Sequence, residues 1–191
     1  MQWLNKIADE LIARHPEGDV VVSSGVSPSG TYHLGTLREV LTAEAIAWEV
    51  RRRGRQAKHF HIVDDLDVFR KVPKGIPEDF SQYLGKPLCD VPSPDGSAAS
   101  YADYYLGDLH FAAEKMHLDM EVVRAHQKYR DGFFEVAVEK ALQQKDEIKA
   151  ILERISGHKV DDNWSPVQVV EDGYLKNRPI TSFDTDKKTV T

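Results

Sequence analysis

The stretch Gly25-Val-Ser-Pro-Ser-Gly-Thr-Tyr-His-Leu-Gly-Thr36 carries the residue types that hold a phosphate. Glycines at 25, 30 and 35 let a ligand lie against bare backbone, and His33 is able to donate a hydrogen bond to a phosphate oxygen. The apolar run Val20 to Val22 before it reads as a short buried strand, and the periodic segment Leu34 to Arg53 after it reads as a helix. A strand-to-helix loop puts a ligand at a helix N-terminus, where the first amides lack intrahelical partners and the dipole is positive. The spacing matches neither G-x-x-x-x-G-K-[ST] nor G-x-G-x-x-G. It contains instead Pro28-Ser29-Gly30 followed by His33-x-Gly35, with Thr36 next. A Pro-Ser-Gly turn also serves as a plain turn. The two elements at this separation, after a strand and before an amphipathic helix, favour a nucleotide site.

A second group is acidic: Asp64-Asp65-Leu66-Asp67, followed by Arg70-Lys71-Val72-Pro73. Carboxylates there suit a substrate ammonium or a metal, and equally suit capping and turn duty. Ala57 to Asp64 reads as a second strand, so strand, helix and strand form a βαβ unit with parallel strands. Ligands in such sheets sit beyond the carboxyl ends of the strands. Gly25 and Ser27 at one end then face Asp64 and Asp65 at the other, which favours function for this pair. Asp67 is also placed to pair with Arg70 across one turn.

Other elements position these groups. Trp3, Leu4, Ile7, Leu11 and Ile12 recur at helical spacing, and Pro16-Glu17-Gly18 ends that helix. Leu34, Leu37, Leu41, Ala45 and Trp48 mark an expected buried stripe on the second helix, closed by Gly54. Arg51, Arg52, Arg53 and Arg55 cluster at its end, where cations complement the dipole; this solvated-end reading is favoured over an RNA contact. Prolines and glycines between Val72 and Gly96 predict an irregular excursion with one short helix near Glu78 to Tyr83. Ser100 to His117 reads as a helix with Ser100 as N-cap, and Asp119 to Ala125 as a third strand. Phe133 to Ser156 reads as a helix breaking near Gln143 to Asp146, and Gly157 closes it. Beyond it, Tyr174 to Thr191 is expected to supply two short strands joined near Asp184 to Lys187. The expected division is 1–157 and 158–191.

The whole chain bounds these readings. It has 191 residues, 41% hydrophobic and 29% charged, an ordinary globular balance. A net charge of −6 means that any nucleic acid would need a local basic patch. Cys89 is the only cysteine, which excludes an intramolecular disulfide and a multi-cysteine zinc site from this chain, and suits a reducing, cytoplasmic setting. The first fifteen residues are too charged for a signal peptide, and no run of eighteen apolar residues appears, so neither export nor a membrane is expected.

A family resemblance rests on Ser24-Gly25-x-Ser27-Pro28-Ser29-Gly30, His33-x-Gly35, Leu37-Arg38-Glu39-Val40, Asp64-Asp65-x-Asp67 and Arg70-Lys71-Val72-Pro73. It continues through Tyr83-Leu84-Gly85-Lys86-Pro87-Leu88, Ser100-Tyr101-Ala102 and the helix from Ala141 to Leu152. The chain resembles the N-terminal part of a class I lysyl-tRNA synthetase. That resemblance implies an α/β fold, a Rossmann-like parallel sheet flanked by helices, with a helical and β-hairpin insertion at the C-terminal end. It implies ATP-dependent activation of lysine to lysyl-adenylate and transfer to tRNA-Lys. By family analogy Pro28, Ser29, Gly30, His33 and Gly35 bind ATP, with His33, Gly35 and Thr36 as the catalytic signature. Gly25 and Ser27 would line the lysine pocket by the same analogy, while crevice geometry and charge, not the family, put Asp64 or Asp65 against the substrate's ammonium groups. Mg²⁺ accompanies the ATP, and no residue of this chain is assigned as a metal ligand.

The pattern departs from the family in three places. Thr36 stands where the usual signature has histidine or asparagine. No Lys-Met-Ser-Lys-Ser element follows. Where zinc-binding cysteine pairs are expected after Trp164-Ser165-Pro166, the chain has Val169 and Val170. The chain therefore reads as a fragment, truncated product or degenerate relative, not expected to complete aminoacylation alone. Alternatives are a non-catalytic adenine-nucleotide or tRNA-binding module, and a small nucleotidyltransferase. Oligomeric state is not readable from these residues.

Overall fold

A computed structural model describes residues 2–184, 187 and 189–191. Three parallel strands, β1 (Val20–Val26), β2 (Ala57–Val63) and β3 (Glu121–Arg124), lie in the order β1-β2-β3. The register sets Val20 beside Ala57, Ser24 beside His61 and Ile62 beside Val123. This is the α/β, Rossmann-like parallel sheet with flanking helices. Because side chains alternate along a strand, Val20, Val22 and Ser24 share one face with Ala57, His59, His61 and Val63.

Helices α1 (Gln2–Arg14), α2 (Leu34–Arg52) and α3 (Tyr101–Met116) build the core with that face. Ala8 of α1 packs with Val20, Ala47, Val50 and Ala57. Val40 of α2 and Leu106 and Leu109 of α3 pack with Tyr32 and Val63. The opposite face is thinly covered, with Val21 and Ile62 exposed.

The buried face of α2 is Val40, Ala43, Glu44, Ala47 and Val50, while Leu34, Leu41 and Trp48 lie exposed. The expected stripe is thus rotated. Small alanines let the helix approach the sheet, and Glu44 turns inward because His59 and Arg51 meet its carboxylate. The arginine cluster is not merely solvated. Arg52 and Arg53 hold the buried Glu49, Arg53 also pairs with Asp9, and Arg55 donates to the carbonyls of His15 and Gly18. These contacts staple the end of α2 to α1 and the turn before β1.

The excursion after β2 is irregular but packed. Its short helical turn, Glu78–Tyr83, puts Phe80 into a cluster with Phe69, Leu88, Val91, Tyr101 and Tyr105. Phe69 and Tyr105 meet the Tyr101 ring edge-on at 5.0 and 4.9 Å. Ser100 caps α3, accepting from the Asp103 amide at 3.1 Å.

Past β3 come α4 (Ala125–Arg130), α5 (Glu135–Gln143) and α6 (Lys145–Ser156). The expected break between α5 and α6 is present, and Gly157 ends α6 at φ 71°. Helix α4 was not expected, since six residues directly after a strand offer too little periodicity to see. Two hairpins follow: β4 (Val169–Glu171) with β5 (Tyr174–Lys176), and β6 (Phe183–Asp184) with β7 (Thr189–Val190). The second matches the expected pair of short strands, although Thr185 and Asp186 of its turn lie outside the described residues. The first adds a strand pair starting before Tyr174. Its turn residues Asp172 and Gly173 both have positive φ, 55° and 79°, which suits the twist of a tight hairpin. Leu175 N–H donates to the Gly85 carbonyl at 2.9 Å, fastening this hairpin to the excursion. No helix among the described residues is long and apolar enough to cross a membrane.

Candidate functional site

His33 is the N-cap of α2. Its Nδ1 accepts from the Thr36 amide at 3.3 Å, with Thr36 Oγ1 at 3.4 Å. In the neutral ring the proton then sits on Nε2, leaving a donor at the mouth of a nineteen-residue helix. The ring lies over residue 35. A Cβ there would sit 2.9 Å from His33 Cε1 and 3.0 Å from Nδ1, so any side chain at 35 would push the ring off this position. His-x-Gly is therefore one unit, and Thr36 fixes the orientation of the histidine from behind.

The loop before His33 is anchored from three sides. Pro28 is buried, the Ser29 carbonyl accepts from Tyr101 Oη at 3.1 Å, and Ser27 Oγ donates to Asp67 at 2.9 Å. Gly30 has open space where a side chain would be. Gly25 lies within β1; its N–H donates to Glu39 at 2.9 Å, and a Cβ would press on the Ile62 carbonyl at 3.1 Å. A cleft of about 430 Å³ flanks the loop at Thr31, lined by Lys74, Tyr104, Tyr105 and Asp108.

The three acidic residues take three different roles. Asp67 is held by Arg70 through two bonds of 2.9 and 2.7 Å, the pairing expected from their spacing. Asp65 is fully buried. It accepts from Arg124 Nε, from the His126 amide at 2.9 Å and from His126 Nδ1 at 2.6 Å. Arg124 in turn reaches Asp103 at 2.6 Å; burial raises that carboxyl, but hydrogen bonds from Ser100 and then Arg124 hold it below its usual range. Asp64 is exposed, and only its backbone N–H, bonded to the Val26 carbonyl at 2.8 Å, ties it to β1. Desolvation first, then the charges of Asp67 and Asp65, raise its carboxyl above the ordinary range. Arg70 opposes that rise only as a nearby charge, and among the described residues no cation forms an ion pair with Asp64.

Ser27, Asp64 and Asp67 thus come together at the ends of β1 and β2. Among the described residues, no hydrogen bond joins them to the cap formed by His33 and Thr36. Arg124 and His126 were not singled out from sequence. Their signal was their position, at the end of a third parallel strand, where crevice residues belong. Among the described residues, no three His, Cys, Asp or Glu side chains are grouped as a metal would need.

A sequence model of the class I (K) tRNA synthetases matches residues 1–191. The chain belongs to that family. Lysine–tRNA ligase 1 of Methanosarcina acetivorans is 35% identical over 192 residues, covering 100% of this chain and 36% of the relative. The lysine–tRNA ligase of Thermococcus kodakarensis is 34% identical over 193 residues, covering 98% and 37%, and that of Archaeoglobus fulgidus 35% over 186, covering 96% and 37%. The chain spans a little over a third of these curated relatives. Within the class I (K) family reading, the departure at Thr36 has a local account: its amide and hydroxyl hold the His33 ring.

Proposed function

We propose that this chain carries the lysine- and ATP-facing half-site of a class I lysine–tRNA ligase, and that the half-site alone does not complete aminoacylation. The observation that carries the reading is the His33–Gly35–Thr36 cap, which leaves Nε2–H free at the N-terminus of α2 in a chain matched by the family over its whole length. The lysine carboxylate attacks the α-phosphorus of ATP, the bond to the β-phosphate oxygen breaks, and pyrophosphate leaves lysyl-adenylate. Tranfer to tRNA-Lys follows.

In this reading His33 Nε2–H and the first amides of α2 meet phosphoryl oxygens and stabilise the charge that builds there. Pro28, Ser29 and Gly30 shape the nucleotide loop. Gly25 and Ser27 line the amino-acid side, and Asp64 faces a substrate ammonium. Asp65 is assigned a different part from Asp64: it holds Arg124 and His126 in place. Mg²⁺ comes with the nucleotide and neutralises phosphate charge. The setting is cytoplasmic, and residues 158–191 form a small β-containing insertion.

Calorimetric titration with a non-hydrolysable lysyl-adenylate analogue, run beside the glutamyl analogue and ATP, tests this. The lysyl compound binds selectively and loses at least tenfold in affinity in Asp64→Asn. Equal binding of the glutamyl analogue removes lysine from the reading, and binding of ATP alone makes the chain a nucleotide module. Lysine-dependent ATP–pyrophosphate exchange at an ordinary synthetase rate would sink the claim that the half-site is incompetent by itself.

A further inference from the structure

The sheet face beneath α2 carries a buried polar chain that the adenylate reading does not use. His59 and His61 are 2% and 0% exposed, yet each occupies a position where a parallel strand normally places an aliphatic residue. The chain starts at Arg51, which donates to Glu44 at 3.0 Å. Glu44 accepts from His59 Nδ1 at 2.8 Å. In the neutral His59 ring with its proton on Nδ1, Nε2 is a lone pair, and Ser24 Oγ, 2.8 Å away, is the group that donates to it. Ser24 Oγ in turn accepts from His61 Nδ1, also at 2.8 Å. One carboxylate thus sets the direction of every bond, and the last ring ends with a bare lone pair on Nε2.

That His61 Nε2 is buried and has no partner among the described residues. The same is true of one other buried side-chain atom, the Tyr32 hydroxyl. Tyr32 is 9% exposed, belongs to the nucleotide loop and immediately precedes His33. Its ring centroid is 6.4 Å from that of His61, with the planes at 55°. An unmatched acceptor and an unmatched donor therefore belong to neighbouring rings, and each is costly to leave open. Burial, reinforced by His59 and opposed by Glu39, pushes His61 down to about 4, so its lone pair persists at neutral pH. Burial also raises the Tyr32 phenol, with Arg124 opposing and Asp108 reinforcing, so its proton stays on.

We propose that His61 is a positioning residue for the nucleotide loop: the Tyr32 O–H donates to His61 Nε2 in solution, so that the hydrogen-bond chain from Glu44 ends on the residue beside His33. The link holds the backbone from which the His33 cap starts, and its effect on ligand rests on the adenylate-site reading. Glycine-rich phosphate loops are entropically costly to order, and a buried anchor next to the catalytic signature lowers that cost before ligand arrives.

Imidazole ¹⁵N NMR of the full chain decides the link without any ligand. Wild type shows neutral His61 protonated on Nδ1, with an Nε2 resonance displaced by a hydrogen bond; Tyr32→Phe returns that resonance to the position of a free lone pair. Calorimetry with the lysyl-adenylate analogue gives the second readout. Tyr32→Phe and Ser24→Ala each weaken binding about tenfold, and the double variant is no weaker than either, because both cut one chain. Far-UV circular dichroism of Tyr32→Phe stays native, since only an oxygen is removed. His61 protonated on Nε2, or an Nε2 resonance that ignores Tyr32→Phe, overturns the proposal. So does a Tyr32→Phe variant that binds the analogue as wild type does. Wild type that binds no analogue, yet shows the Tyr32-dependent resonance, keeps the link and defeats the adenylate reading instead.

Discussion

The chain up to β3 and the chain after it are built to different standards. Through Arg124 the sheet and its helices bury Leu4, Val20, Val40, Val63, Leu88, Tyr101, Leu106 and Leu109, and even the charged Glu49 and Asp65. Beyond Arg124 the buried hydrophobic residues are Ala125, Leu142 and Ile180. Helix α6 buries none, and its Ile151, Leu152 and Ile155 lie on the surface. Both parts have strong apolar periodicity, so pattern alone does not tell a supported element from an unsupported one. What distinguishes them is whether a second layer reaches the apolar face.

The contrast is sharpest for charges. Asp65→Ala removes the partner of Arg124 and His126 inside the fold, and about 3 to 5 kcal/mol of stability goes with it. Arg178→Ala, which breaks the exposed pair with Glu171, costs less than about 1 kcal/mol. Urea unfolding of the two variants measures both, and similar losses would erase the distinction. Apolar truncation follows the same order. Leu109→Ala costs roughly 3 kcal/mol against well under 1 for Ile155→Ala, because only the first leaves a cavity.

Acid separates the parts by a different route. Hydrogen bonds from Arg52 and Arg53 hold Glu49 down at about 2 from its ordinary 4.5, so its stabilisation is complete above pH 4.5 and disappears as pH falls towards 2. Buried His61 sits at about 4 instead of 6.5. Between those values the unfolded chain takes up a proton that the folded chain refuses, and stability falls as pH drops from 6.5 to 4. Unfolding free energy measured from pH 7 to 2 declines across both windows. Glu49→Gln flattens the lower one and His61→Asn the upper. The most local effect is at the first hairpin: Gly173→Ala strains a residue at φ 79°, costs about 1 kcal/mol, and speeds amide exchange in β4 and β5 while leaving β1 and β2 unchanged.

Much of the first part was legible in sequence because its signals agree with its surroundings. Strands β1 and β2, the Ser100 cap and the short turn at Glu78–Tyr83 stand where turn chemistry and periodicity put them. The buried side of α2 was not legible. Glu44 counts as surface by composition, and only the histidines of β2, distant in sequence, explain why it faces inward. The site divides similarly. His33, Gly35 and Thr36 are local in sequence and form one local unit. Asp64 and Asp65 are adjacent and acidic, so sequence treats them as a pair, yet the turn that leaves β2 sends one to the surface and the other to Arg124, fifty-nine residues away.

Among the described residues, strand β1 is hydrogen-bonded to β2 along one side only, and Val21 stands exposed on it. An edge of this kind is a template on which any extended segment can lay down a further strand. Glu39 occupies one of its amides, that of Gly25, and so shields only the end nearest the loop. Colloidal behaviour follows from this. Encounters between two such edges rise with the square of concentration, so dilution disfavours edge-to-edge association and crowding favours it.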